Sequence, residues 1–119
     1  MTLSALIQLA IHSPLLAEHV EAAAGHLHLT VEELYDLFAT TVAKQYLKGN
    51  LSYGSGDAAM NGLFGYGTTG GGPELTRLAW RVFEAFDEGE YLHAGEPAEQ
   101  QGEPKTRMLL ARITELHDA

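Results

Sequence analysis

The 119-residue chain has no cysteine. That removes a disulfide framework, a thiolate nucleophile and any cysteine metal site, and it fits a reducing, cytoplasmic setting. Cations are scarce as well: 7 Lys and Arg stand against 16 Asp and Glu, for a net charge of −9. None precedes Lys44. None lies between Arg81 and Lys105, where Glu84, Asp87, Glu88, Glu90, Glu96, Glu99 and Glu103 fall. A field of that sign repels phosphate backbones, so no nucleic acid is expected as partner, and a basic protein is. A long uninterrupted apolar run is also missing. Residues 1–17 carry no charged side chain, but Gln8, His12, Ser13 and Pro14 break the stretch. A membrane span needs roughly 20 apolar residues, and a secretory signal needs a basic start. No membrane role is expected, and the segment reads as a core helix or a subunit contact. Period-two strand patterns and internal repeats are lacking too.

What the chain does contain is helical periodicity. Its size is that of one domain spanning 1–119, able to bury roughly two-thirds of its unfolded surface. We expect an all-α, compact single-domain bundle of five to six helices. The first runs from about Thr2 to Ile11 and stops ahead of Pro14. The second runs from about Pro14 to Ala24, with Gly25 as its stop. The third is the best marked. Thr30 and Glu33 form a capping box, Leu29 can staple to Leu34, and Gly49 ends the helix. Its stripe is Val31, Leu34, Tyr35, Phe38, Val42 and Tyr46. The fourth opens at Ser52 or Ser55, is carried by Ala58 to Phe64, and is ended by glycines. The fifth spans about Glu74 to Tyr91, with Pro73 at its start. The sixth runs from about Pro104 to Leu116, presenting Leu109, Ile113 and Leu116. Ala94 to Glu103 reads as an exposed loop. The bundle should pack around the third and fifth helices, with Leu34, Phe38, Val42, Leu78, Val82, Phe83 and Phe86 buried together.

The fifth segment carries the sharpest functional feature. Leu75, Leu78, Ala79, Val82, Phe83 and Phe86 recur at i, i+3, i+4, i+7, i+8 and i+11, one helix face. The segment then ends in Asp87-Glu88-Gly89-Glu90-Tyr91. Acids at a helix C-terminus oppose the macrodipole by about 0.3–1 kcal/mol each when exposed. Asp87, Glu88, Glu90 and Tyr91 are therefore the candidate partner-binding residues. The competing reading makes the carboxylates structural, bonded to Arg77, Arg81, Arg107 or Arg112.

Nine of the 13 glycines lie between Gly49 and Gly72. Within that stretch Gly65-Tyr66-Gly67-Thr68-Thr69-Gly70 matches the letters of a dinucleotide fingerprint. The fingerprint has meaning only between a strand and a helix, and Asp57 to Phe64 looks helical. Glu74 would moreover repel a phosphate. We expect an interhelical loop there, with Gly65, Gly67 and Gly70 as candidates for a gate over a small-ligand pocket. No cofactor is expected. Six histidines invite a metal reading, but His19, His26 and His28 match no zinc spacing. Asp87, Glu88, Glu90 and His93 offer hard ligands without the Asp-x-Asp-x-Asp-Gly loop of a calcium site. No metal site is assigned. Paired acids such as Glu84/Glu88 or Glu32/Asp36 serve acid–base chemistry only in a cleft, and no nucleophile elbow is present.

Tyr46-Leu47-Lys48-Gly49-Asn50-Leu51-Ser52-Tyr53, Asp57-Ala58-Ala59-Met60-Asn61, Ala79-Trp80 and Ala85 through Tyr91 resemble small uncharacterised bacterial helical proteins with no assigned function. The resemblance covers under half of the chain. It implies a bacterial, helical, single-domain protein, and draws attention to Met60, Asn61, Trp80, Asp87 and Tyr91. The leading expectation is an acidic interaction domain, immunity- or antitoxin-like, that binds a basic protein. The alternative is a small-ligand-binding helical domain with a glycine gate, and the third is an enzyme of unknown type. A homodimer is expected through the uncharged N-terminal helix or an exposed part of the third helix.

Overall fold

The computed structural model describes residues 1–90 and 102–116. Six helices follow one another: α1 (Leu3–His12), α2 (Ala17–Leu27), α3 (Val31–Leu47), α4 (Tyr53–Thr69), α5 (Arg77–Glu88) and α6 (Glu103–Ala111). A 3₁₀ turn, Thr114–Leu116, ends the described chain. The fold class is all-α, with no strand among the described residues. The expected loop from Ala94 lies largely outside the described residues, as do Tyr91 and His93.

The capping box of α3 forms as its sequence predicts. The Glu33 N–H donates to Thr30 Oγ1 at 3.1 Å, and the Thr30 N–H donates to Glu33 Oε1 at 2.9 Å. Leu34, Tyr35, Phe38, Val42 and Tyr46 are all buried from this helix. Gly49 ends it in the left-handed region, at φ 82°.

The second helix departs from expectation at both ends. It starts at Ala17, because Leu16 is extended and its N–H donates to His19 Nδ1 at 3.2 Å. It runs through Gly25, and His28 takes the left-handed cap instead, at φ 56°. The Leu29 N–H closes that end on the Ala24 carbonyl at 3.0 Å, the bond of a Schellman stop.

The largest correction concerns the glycine-rich stretch. It is not a loop through Gly65 and Gly67: α4 continues to Thr69, and Gly70 is its cap. Ser52 opens it by accepting from the Ser55 N–H. Glycine disfavours helix interiors, yet two of these glycines sit where a neighbour leaves no room for a side chain, and at a third the fit would be tight. A Cβ on Gly56 would lie 2.6 Å from the Phe86 ring. One on Gly62 would lie 2.8 Å from the Ala10 carbonyl oxygen, and one on Gly67 3.2 Å from the Pro73 carbonyl oxygen. Close approach of α4 to its neighbours offsets the helix penalty.

The fifth helix also starts later than its apolar ladder suggests. Thr76 caps it, so Pro73, Glu74 and Leu75 precede the helix. Tyr35 holds that lead-in by donating to the Pro73 carbonyl at 2.8 Å. Ala79, Val82, Ala85 and Phe86 are buried, whereas Leu78 and Phe83 are only partly so. The last segment splits after Ala111. Leu110, not Leu109, is fully buried, and Ile113 and Leu116 follow it into the core.

The bundle centres on α3, α4 and α5 rather than on α3 and α5 alone. The first helix packs mainly on α4 and buries Leu6, Ile7 and Ala10 there. Its apolar face is thus covered within its own chain. No helix among the described residues is long and apolar enough to cross a membrane.

Candidate functional site

The close Gly56–Phe86 contact sets the start of α4 beside the end of α5. The last four carbonyls of any helix lack intrahelical partners. Here two are met by side chains from other elements. Tyr53, the first residue of α4, donates its hydroxyl to the Phe86 carbonyl at 2.6 Å. Thr106 of α6, fully buried, donates to the Ala85 carbonyl at 2.7 Å. The tyrosine ring packs with Tyr46 and Phe86, whose centroids lie 6.2 and 5.9 Å away.

Above this apolar floor three carboxyl groups converge. Asp57 projects from the second turn of α4 and is half-buried. Asp87 comes from the last turn of α5, and Glu90 from just beyond it. Burial pushes the Asp57 carboxyl up to about 7, helped by its hydrogen bond to Glu90 and by the charges of Glu90 and Asp87. Asp87 is raised too, by burial first and then by Glu90 and Glu88. Glu90 is thus the hydrogen-bond partner that Asp57 and Asp87 share, and Asp57 keeps a proton near neutrality. Tyr53 is pushed up to about 12, by burial first and then chiefly by the charge of Asp57. Its phenol stays a donor. Asn61, one turn on from Asp57, offers Nδ2 to Asp57 Oδ2 at 3.5 Å.

Arg81 and Arg107 are engaged elsewhere. Arg81 pairs with Glu115 at 3.5 Å. Arg107 lies 4.5 Å from the Tyr46 ring centre and 3.8 Å from Glu103, which also accepts from the Tyr46 hydroxyl at 2.8 Å. None of the ion pairs among the described residues joins a lysine or arginine to Asp57, Asp87 or Glu90. The arrangement can hold and exchange one proton near neutral pH, and it can accept an ammonium or guanidinium group.

The candidate residues read from sequence are only partly gathered here. Asp87 and Glu90 meet. Glu88 turns to a different side and lines a groove of about 480 Å³ with Arg81, Glu84, Lys105 and Arg112. Tyr91 lies outside the described residues. Asp57 and Tyr53 were missed by sequence reasoning. Ser52 signals the helix start that places them, but only the α4–α5 packing brings that start to the acids.

The glycine candidates separate as well. Gly65 and Gly70 line a groove of about 610 Å³ between α4 and the α1–α2 corner, floored by Gly62 and walled by Ile11, Pro14 and Leu16. Gly67 points the other way, against Leu75. His26 and His28 are exposed at the end of α2. Among the described residues no group of three or more His, Cys, Asp or Glu is placed to hold a metal ion. Compared with known protein families, curated proteins and solved structures, the chain matches none.

Proposed function

We propose that this chain is a protein-interaction domain whose acidic end receives a basic partner, in the manner of an immunity or antitoxin protein. The observation that supports it is the convergence of Asp57, Asp87 and Glu90 without a described cationic partner. Mutually repelling carboxylates reduce the stability of the free chain, and an incoming Lys or Arg relieves that repulsion. Charge complementarity of this kind raises association rate and selects partners more than it adds raw affinity. Binding also competes with the Asp57 proton, so a basic partner should bind more tightly as pH rises through neutrality.

The test uses a Lys/Arg-rich peptide as probe, with calorimetry at low and at physiological salt. Binding should weaken as salt screens it, with a Debye length of about 8 Å at physiological ionic strength. It should release a proton at pH 7. The Asp57→Asn, Asp87→Asn, Glu90→Gln protein should keep its helical circular dichroism and lose most of the binding. Equal binding by the wild-type and triply substituted proteins would count against the proposal. A second reading, small-ligand binding, is favoured by the groove beside Gly65 and Gly70. A thermal-shift screen showing stabilisation that Gly65→Leu abolishes would favour it over the first.

A further inference from the structure

The exposed ridge of α5 carries charges of both signs around an aromatic residue. Arg77, Trp80, Arg81 and Glu84 recur at i, i+3, i+4 and i+7, opposite the buried Ala79, Val82 and Phe86. Trp80 is 41% exposed, unusual for the chain's one tryptophan. It is not a loose side chain. Its ring lies 5.7 Å from that of Phe64 and 5.4 Å from that of Phe83, and those two stack at 4.3 Å. A cleft of about 420 Å³ opens beside it, lined by Phe64, Gly67, Thr68, Glu74 and Leu75. A preorganised aromatic cluster at a surface is the usual anchor of an interface.

The flanking charges say which partner fits. Arg77 and Glu84 are both exposed, and neither is in a described intrachain ion pair. Seven residues separate them, about 10.5 Å along the axis. Their midpoint falls between Trp80 and Arg81. A two-fold axis passing beside α5 at the level of that midpoint, perpendicular to the helix, sets a second α5 antiparallel to the first. Arg77 of one copy then faces Glu84 of the other, twice over. The same axis carries both Trp80 rings to one side of the helix pair. A two-fold interface has to be self-complementary; the Arg77–Glu84 pairing meets that condition twice, and the charge of Arg81, beside the axis, is already paired with Glu115. We propose that the chain forms an antiparallel homodimer through the Arg77–Trp80–Glu84 face of α5. This surface differs from the N-terminal helix, which α4 already covers, and does not depend on the role of the acidic end.

Sedimentation equilibrium on the full chain tests it. Wild type should be dimeric at micromolar concentration, and Trp80→Ala should be monomeric with unchanged circular dichroism. Arg77→Glu alone sets two acids face to face, and Glu84→Arg alone sets two cations face to face. Each should weaken self-association by about tenfold or more. Mixing these two single variants restores both attractive pairs across a mixed dimer, and so should the double Arg77→Glu, Glu84→Arg protein. Arg77 and Glu84 are exposed, so the charge variants and their mixing test the interface even where Trp80→Ala also loosens the Phe64–Phe83 cluster. A wild type that stays monomeric at high micromolar concentration overturns the proposal. A dimer indifferent to these substitutions, or single variants that do not recover on mixing, overturns it equally.

Discussion

Asp57 should make this protein less stable as pH rises through neutrality. In an unfolded chain its carboxyl titrates near 3.8, and in the fold near 7. Between those values the folded chain holds a proton that the unfolded chain has released. The contribution to stability is therefore fully present below about pH 4 and is lost as pH rises through about 7. On a fully buried group a shift of that size would correspond to about 4 kcal/mol. Asp57 is only half-buried, and screening by water brings the expected effect to about 1–2 kcal/mol. Asp57→Asn keeps the shape and the donor toward Glu90 and removes the titration. Urea unfolding of both proteins at pH 4.5 and 7.5 isolates the effect. They should be nearly equal at the lower pH, and the variant should be more stable by about 1–2 kcal/mol at the higher. If the difference between the two proteins does not change with pH, Asp57 is an ordinary surface carboxylate and the cluster is not coupled.

Two glycines three residues apart on α4, Gly62 and Gly65, should respond with opposite sign. Nothing lies within 4 Å of a Cβ added at Gly65, so Gly65→Ala should stabilise by about 0.5–1 kcal/mol through helix propensity. Gly62→Ala drives its methyl group into the Ala10 backbone, and overpacking of about 1–3 kcal/mol should outweigh that gain; thermal melts of both check the pair. Phe86→Ala removes a fully buried ring packed at 5.2 Å from Tyr46 and should destabilise by about 3–5 kcal/mol. Phe83→Ala should cost clearly less in the same urea series, because Phe83 is only partly buried.

The parts of this fold that could be read from sequence were those fixed by local chemistry. Thr30 with Glu33 placed the start of α3 to the residue, while Ser52 and Ser55 were both readable as the start of α4, and Ser52 is the cap. The apolar ladder of α5 identified the helix. It misjudged the helix's first turn, because Leu75 is apolar in a lead-in that precedes the helix and a spacing rule cannot tell the two apart. Phe83 belonged to the same ladder but stands at its edge, where it stacks on Phe64 instead of entering the core. The glycines of α4 misled for a different reason. Their helix penalty is local, whereas the close contacts that offset it come from beyond α4, at Gly62 and Gly56 from Ala10 and Phe86, distant in the chain. The acidic cluster was half-legible in the same sense. Asp87 and Glu90 are consecutive with a helix end, while Asp57 joins them only through tertiary packing.

That packing makes Gly56 the residue on which the acidic end depends. Phe86 lies so close to it that a Cβ would sit 2.6 Å from one ring carbon and 2.8 Å from the next. The ring cannot swing aside, because it is fully buried between Tyr46 and Tyr53. With alanine at position 56, the start of α4 has to move off the end of α5. Asp57 is the next residue and moves with it, away from Asp87 and Glu90. Tyr53 shares that first turn and loses its 2.6 Å bond to the Phe86 carbonyl. Gly56→Ala should thus destabilise by about 1–3 kcal/mol, even though alanine is the better helix former. It should also return the Asp57 carboxyl toward its ordinary range, as followed by carboxyl carbon chemical shifts across a pH titration. If stability falls and the Asp57 titration stays near neutrality, the cluster is held by something other than the α4–α5 contact.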